Sequence, residues 1–230
     1  MSVLVGFDTA TDDVAVAATR DGEVLDERRI AAPPGQRPRH ATALLAEVES
    51  VAEGVGGWER VQAIAVGIGP GSFTGLRIGL ATARALAQAL DKAIVPVGTL
   101  AALARGIEGS GEQPRLAVLD ARRGQAFAAL YGPGGEEIWP PLVATPDEVV
   151  DRVKALDRTA LAAGSGTIRF RGELEAAGAD VLPDSDPAHR ISARHVCLLA
   201  ESASPALPES MEPIYLRPPD AELWLERDTH

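Results

Sequence analysis

The sequence predicts an α/β protein built as two lobes, each a mixed sheet with flanking helices, and three observations carry that expectation. The stretch 61–98, VQAIAVGIGPGSFTGLRIGLATARALAQALDKAIVPVG, reads as strand, glycine-rich turn, long helix and strand. The chain opens on a three-strand meander and repeats its outline past residue 111: strand, Asp, turn, strand, turn, strand. From Pro146 onward helical and strand patterns alternate, which supplies the crossovers a mixed sheet needs. At 230 residues there is chain enough for two lobes of roughly 100 residues, each with its own core. The expected division is 1–108 and 109–230.

In order, VLVGFD is a short apolar strand ending at Asp8, followed by a turn of Thr9, Ala10, Thr11 and Asp12. VAVAAT and EVLDERRI are the next two strands, separated by the turn signal Asp21-Gly22. Pro33, Pro34, Gly35 and Pro38 make a loop, after which HATALLAEVESVAE, 40–53, reads as an amphipathic helix with Leu44, Leu45, Val48 and Val51 among its apolar positions. The second helix, from Phe73 to Leu90, directs Leu76, Leu80, Ala83, Ala87 and Leu90 at the sheet. Its other faces hold mostly Ala, Gly, Ile and Thr, with Arg77 and Arg84 the only charges, so a second side is expected to be covered by the first helix or by another protein. AIVPV is a strand that runs into Gly98, Thr99 and Leu100. RLAVLD and QAFAALY are strands joined by 121–124, and a Gly-Pro-Gly-Gly turn leads to a third. Then come DEVVDRVKAL as a helix, TALAAGSG as a strand closing in a glycine turn, IRFRGELEAAG as a helix and 183–189 as a loop. SARHVCLLAESA is a helix whose inner face includes Val196, Leu199 and Ala200. The echo of the meander puts Asp120 where Asp8 stands in the first lobe, bonded to Arg122 or Arg123 between turn and strand.

The glycine turn invites an anion, because glycines admit a close backbone approach and the first amides of a helix are unpaired. Asp8, Gly69, Gly71, Ser72 and Asp120 are the candidate nucleotide or anion residues. No familiar catalytic loop fits them. A Walker loop needs Lys and then Ser or Thr after its second Gly, where Gly75 is followed by Leu76 and Arg77. The dinucleotide fingerprint needs a Gly five places after its first, and from Gly67 and Gly69 those places hold Ser72 and Thr74. A hydrolase elbow on Ser72 needs glycines where Pro70 and Thr74 stand. A simpler reading stands beside the anion site: Ser72 or Thr74 caps the helix, the glycines make the turn, and Asp8 bonds its local backbone. Gly164, Ser165 and Gly166 carry the same two readings.

The formal net charge is −11 and the only lysines are Lys92 and Lys154, which disfavours unaided binding of nucleic-acid phosphates. Cys197 is the single cysteine; it excludes an internal disulfide, suits a reducing compartment, and reads as a small buried hydrophobe. The start MSVLVGFDTA shows no basic leader and no apolar run reaches spanning length, so a soluble cytoplasmic protein with no membrane contact is expected. His40 has no partner at i+4 on its helix and reads as a surface or interface residue. His189 and His195 lie outside any H-E-x-x-H pattern, and neither metal nor cofactor is expected.

The words FDTATDDVAVA, GIGPGSFTGLRIG, LDARRGQAFAALY and the closing Tyr-Leu-Arg of 213–222 resemble the bacterial TsaB family over nearly the whole chain, the second word being the most specific. The resemblance implies an actin and hexokinase-like (ASKHA) fold in which Asp8 stands where an Asp faces nucleotide phosphates or metal, and in which the chain closes on an extended tail. It further implies a non-catalytic subunit in the synthesis of threonylcarbamoyladenosine at position 37 of tRNA. Such a subunit pairs with its metal-bearing relative TsaD, works with the ATPase TsaE, and meets tRNA only indirectly. In TsaD a strand similar to AIVPV is followed by Asn-His-x-x-x-His; the two histidine places here hold Thr99 and Leu103, which cannot replace imidazole at a metal. Partner contact is expected on the two helices of the first lobe, at His40, Leu44, Arg77, Ala81 and Arg84, where small side chains admit a close backbone and arginines bond acceptors. A homodimer would use the same surface. Two other classes stand beside this one: an actin-fold kinase using Asp8, the glycine turn and Asp120 around a nucleotide, and a metallopeptidase-like hydrolase, for which no ligand or nucleophile set assembles.

Overall fold

Side chains along the first strand alternate between two separate cores. The computed structural model describes residues 3–32, 38–109 and 111–217. In it β1 (Val3–Asp8) is buried on both faces, with Val3, Val5 and Phe7 in one apolar cluster and Leu4 in another. A strand buried on both sides needs a cover on each. α1 (His40–Gly54) and α2 (Phe73–Leu90) cover one side with Leu44, Val48, Leu80 and Ala83. The other side is covered by a helix from the far end of the chain, Ala193–Ala200, through Val196, Cys197 and Ala200.

β1 pairs antiparallel with β2 (Val14–Arg20), which pairs antiparallel with β3 (Glu23–Ile30). On its other edge β1 pairs parallel with β4 (Val61–Gly67), and β4 parallel with β5 (Ala93–Val97), giving the order β3-β2-β1-β4-β5. The second sheet is built from β6 (Arg115–Asp120), β7 (Ala126–Tyr131), β8 (Glu137–Ala144), β9 (Leu161–Ala163) and β10 (Asp180–Val181). Its order is β8-β7-β6-β9-β10, with the same sequence of antiparallel and parallel pairings. The repeated architecture therefore extends through all five strands of each sheet, beyond the meander that announced it.

Two helices cross between the halves. α3 (Thr99–Arg105) follows the first sheet in sequence yet packs Leu100, Leu103 and Ala104 against Ala117, Leu119, Phe127 and Ala129 of the second. α4 (Pro146–Lys154) starts at a capping box of Thr145 and Glu148. The stretch 168–178 is not one helix: α5 (Ser165–Arg169) and α6 (Arg171–Ala176) break at Phe170, which turns into the core of the second lobe. α7 (Ala193–Ala200) returns to the first sheet. A cut at 108/109 separates the two sheets, but α7 and the segment 206–214 lie on the first, with Ala206 bridging Ile94 and the Ile214 N–H donating to Ile68 O at 2.7 Å.

That returning segment also explains the sparse charge of α2. Besides α1, the chain's own tail covers its second side: Met211 is buried in the first core, and the Arg84 guanidinium donates to the Met211 carbonyl. Pro33, Pro34 and Gly35 of the expected loop, and the closing words beyond Arg217, lie outside the described residues. No helix among the described residues is long and apolar enough to cross a membrane.

α7 approaches β1 closely because residue 6 is glycine; a Cβ there would stand 2.5 Å from Cys197 Sγ. Burial pushes the Cys197 thiol up to about 12, so it behaves as an apolar group. Gly6→Ala is expected to lower the unfolding free energy by about 1–3 kcal/mol through overpacking. In a Cys197→Ala background the same change should be much cheaper in urea titrations, and equal losses in both backgrounds would refute this contact.

Candidate functional site at the glycine turn

β4 delivers the chain to Gly67 beside the end of β1, and the first side chain met there is the carboxylate of Asp8. It is 2% exposed. Asp8 Oδ1 accepts the Ala10 N–H at 2.7 Å and Oδ2 accepts the Thr99 hydroxyl at 2.7 Å. Thr99 Oγ1 in turn accepts the Gly69 N–H at 3.1 Å, and the Thr99 N–H donates to Gly69 O at 2.8 Å. One threonine thus joins the end of β1, the glycine turn and the start of α3. Burial raises the Asp8 carboxyl above its ordinary value, while the bonds from Thr99 and Ala10 and the nearby His40 act the other way.

The glycines make room for the segment 8–10. A Cβ on Gly67 would lie 1.8 Å from Asp8 Oδ2, on Gly71 2.3 Å from Ala10 O, on Gly75 2.0 Å from Thr9 O, and on Gly79 2.4 Å from Thr9 Oγ1. The start of α2 is engaged by the same segment. Ser72 is the N-cap and accepts the Gly75 N–H at 3.3 Å; its own N–H donates to Ala10 O at 2.7 Å, and Thr9 Oγ1 donates to Gly75 O at 2.8 Å. Asp8, Gly69, Gly71 and Ser72 are therefore brought together, and each contact just described is to the chain's own groups.

Asp120 belongs to a second assembly of the same kind. Its Oδ1 accepts the Arg122 N–H at 2.9 Å, its Oδ2 the Arg169 guanidinium at 2.8 Å, and its N–H donates to Ser165 Oγ at 3.1 Å. The expected structural bond between Asp120 and Arg122 is present, made by the Arg122 amide rather than its guanidinium. The turn carries Arg122 and Arg123 at φ 63° and 52°, which brings the Arg122 amide to Asp120, and the Arg122 guanidinium crosses to Asp12 of the first lobe at 2.7 Å. Gly164 and Gly166 are tight packing positions, where a Cβ would lie 2.0 Å from Val118 O and 2.6 Å from Val118 Cγ1 respectively.

Several other sequence expectations change in position. His40 is 3% exposed rather than at the surface, because the first turn of α1 is pressed against Gly75; its Nε2 has no partner among the described residues. Leu44 is 1% exposed and belongs to the core, while its neighbour Leu45 is 52% exposed. Arg84 is held by Met211. Of the five residues expected to meet a partner, Arg77 and Ala81 are the ones exposed. Arg77 lies over the Phe73 ring at 3.9 Å and donates to the Tyr215 hydroxyl at 3.3 Å, so part of the tail shares that surface. His189 accepts the Gly164 N–H on Nδ1 at 3.1 Å, and its Nε2 faces Leu182 O and Pro183 O, an arrangement that pins the loop 183–189 to the second sheet. Burial, and Arg194 beside it, lower His195 to about 4. Among the described residues no group of three or more His, Cys, Asp or Glu is placed to hold a metal ion. Thr99 and Leu103 are both buried, the first in the Asp8 bonds and the second in the core under α3.

The family model for TsaD, the tRNA N6-adenosine threonylcarbamoyltransferase, matches residues 32–177. The tRNA threonylcarbamoyladenosine biosynthesis protein TsaB of Escherichia coli (strain K12) is 30% identical over 224 residues, covering 93% of this chain and 94% of that protein. The chain belongs to the TsaB family. A crystal structure of an uncharacterized protein with similarity to peptidase YeaZ from Pseudomonas aeruginosa matches with a TM-score of 0.77 at 29% identity, over 94% of this chain and 100% of that one. A ROK hexokinase from Thermus thermophilus matches with a TM-score of 0.50 at 15% identity, over 87% of this chain and 98% of the hexokinase, and shares the fold alone. The TsaB-family fold is thus of the actin and hexokinase-like kind, with two mixed sheets of one topology.

Thr99→Val keeps the shape and removes both hydroxyl bonds, leaving the Gly69 N–H and an Asp8 oxygen unpaired. The expected loss of stability is about 2–4 kcal/mol, largely recovered in Thr99→Ser. Asp8 also sets a pH dependence. A carboxyl raised in the folded state holds its proton more tightly folded than unfolded, so its contribution rises as pH falls through the folded value toward the unfolded one near 3.8, and is flat above. Urea titrations from neutral pH to acid should show the wild type gaining on Asp8→Asn as pH drops; a constant gap between them would contradict the raised value.

Proposed function

We propose that the chain is a non-catalytic subunit that pairs with a TsaD-type threonylcarbamoyltransferase, alongside a TsaE-type ATPase, in making threonylcarbamoyladenosine on tRNA in the cytoplasm. The observation that carries this reading is the pair Thr99 and Leu103. They stand where the catalytic relative places its metal-binding histidines by resemblance, and both side chains are committed to the interior, Thr99 to Asp8 and Gly69, Leu103 to the apolar contact with the second sheet. Membership of the TsaB family and the match of the TsaD model support the pathway.

The kinase reading is the weaker one. It needs the Asp8 carboxylate turned toward phosphates or a metal, whereas both of its oxygens accept bonds inside the lobe. It also needs α2 amides free for phosphate, and those of Ser72 and Gly75 are bonded to Ala10 O and Ser72 Oγ. The peptidase reading finds no support in the described residues, where no cluster of metal-ligating side chains forms.

The surface proposed for the partner is the outer face of α1 and α2: of the five residues first expected there Arg77 and Ala81 are exposed, and the exposed Leu45 of α1 joins them. A large exposed leucine beside a small-residue stripe lets a second helix pair approach closely. Because Ala81 is exposed, Ala81→Glu should leave the thermal unfolding of the isolated chain nearly unchanged and abolish co-purification with the TsaD relative. A folded Ala81→Glu protein that still pairs with unaltered affinity would place the interface elsewhere.

A further inference from the structure

On the face of the first sheet opposite α1 and α2, where α7, the end of α3 and the start of β6 converge, lies a cavity of about 360 Å³. This volume is within the range of small-molecule sites, about 300–1,000 Å³. Its lining is unusual for a chain of net charge −11: it includes Arg105, Arg115 and Arg194, with Glu108 the one carboxylate among the lining residues. Like charges gathered around one concavity repel each other and focus a positive potential into it, which an anion relieves.

The guanidinium groups keep donors to spare. Arg105 makes no hydrogen bond or ion pair among the described residues; Arg115 gives one N–H to Pro133 O at 2.7 Å, and Arg194 gives its Nε–H to His195 Nε2 at 3.1 Å. Each guanidinium has five N–H groups, so most remain available. His195 adds another. It also lines the cavity and is buried, and with Nε2 accepting, the neutral ring carries its proton on Nδ1, which has no protein partner among the described residues. The low pKa of His195, about 4, agrees with a neutral ring at physiological pH. Glycine at 106 admits the imidazole, since a Cβ there would lie 2.9 Å from Nδ1 and Cε1. The rest of the wall is apolar, with Val24, Ile107 and Leu198.

We propose that this cavity binds a small phosphorylated molecule, its phosphate held by Arg105, Arg115 and Arg194 and its organic body lying against Val24, Ile107 and Leu198. A planar fork of donors matches phosphate oxygens in pairs. A concave cluster suits one compact polyanionic group, whereas an extended RNA backbone needs cations spaced along a track. The site lies away from the proposed partner face and stands independently of that reading.

The test is calorimetry on the intact chain with two probes, inorganic phosphate and adenosine monophosphate. The nucleotide should bind more tightly than phosphate alone, because its body adds apolar contact, and the affinity should fall as salt rises. Arg105→Ala combined with Arg194→Ala should weaken binding by at least ~10-fold, the loss of one charge-assisted hydrogen bond. Arg60→Ala, away from the cavity, should leave it unchanged. Should the double variant unfold, Arg105→Glu serves alone, since residue 105 is exposed. The proposal is overturned if neither probe binds, if the nucleotide binds no better than phosphate, or if the variants bind as the wild type does. It is equally overturned if the variants lose retention of tRNA while neither probe binds the wild type, since the surface then reads an RNA backbone.

Discussion

The first lobe depends on one close contact, the lodging of residues 8–10 in a groove that exists because Gly67, Gly71, Gly75 and Gly79 have no side chains. Each of those positions would put a Cβ within 2.4 Å of the segment. The contact sets the angle at which α2 leaves the sheet, supplies the acceptor for the Ser72 amide, and buries Asp8 with its carboxylate bonded by the Ala10 N–H and the Thr99 hydroxyl. Backbone approach this close is what glycine permits and any other residue forbids. Burying a carboxylate is unfavourable unless it is bonded, and the two bonds to Asp8 offset that expense.

The second lobe repeats the device with different residues. β6 ends at Asp120 as β1 ends at Asp8, and the following glycine turn, 164–166, packs against Val118 and Leu119 as Gly67 and Gly71 pack against residues 8–10. The two lobes are held together chiefly by exchanged helices. α3 buries its apolar face on the second sheet and α7 on the first, so each core is closed by a helix from the other half of the chain. The Arg122 to Asp12 ion pair also spans the lobes, but its partners are 66% and 49% exposed, and such pairs contribute little in water.

The strands and the two long helices of the first lobe were legible because their patterns are clean: β1 and the stretch 63–66 of β4 are apolar runs, and α2 repeats Leu76, Leu80, Ala83 and Ala87 at helical spacing. The exchange of α3 and α7 was not legible, because a short apolar helix does not say which sheet it will cover. The same limit explains Leu44 and Leu45, adjacent apolar residues of which tertiary packing buries one and exposes the other. The acceptor of Arg84 was hidden for a related reason. A charge on an otherwise bland helix reads as a contact for another protein, and the acceptor it met belongs to residue 211 of the same chain. At the turn, the glycines were visible but not what fills them. Thr99 gave no signal of its own, since its role comes from bonding at once to residues 8 and 69, both distant in sequence. The reading of residues 99 and 103 as the places of a relative's metal-binding histidines rests on resemblance alone, and the structure adds that both side chains are buried.

The proposed role, lending a surface rather than carrying out a reaction, rests on a glycine turn that is occupied by its own chain. Amide hydrogen exchange at Ser72 and Gly75, with and without millimolar ATP and magnesium, bears on this most directly. The account predicts slow exchange of both amides in the free chain, held by Ala10 O and Ser72 Oγ, and no change on adding nucleotide. Fast exchange in the free chain that slows when ATP is present would contradict it and return the glycine turn to the role of a nucleotide cradle.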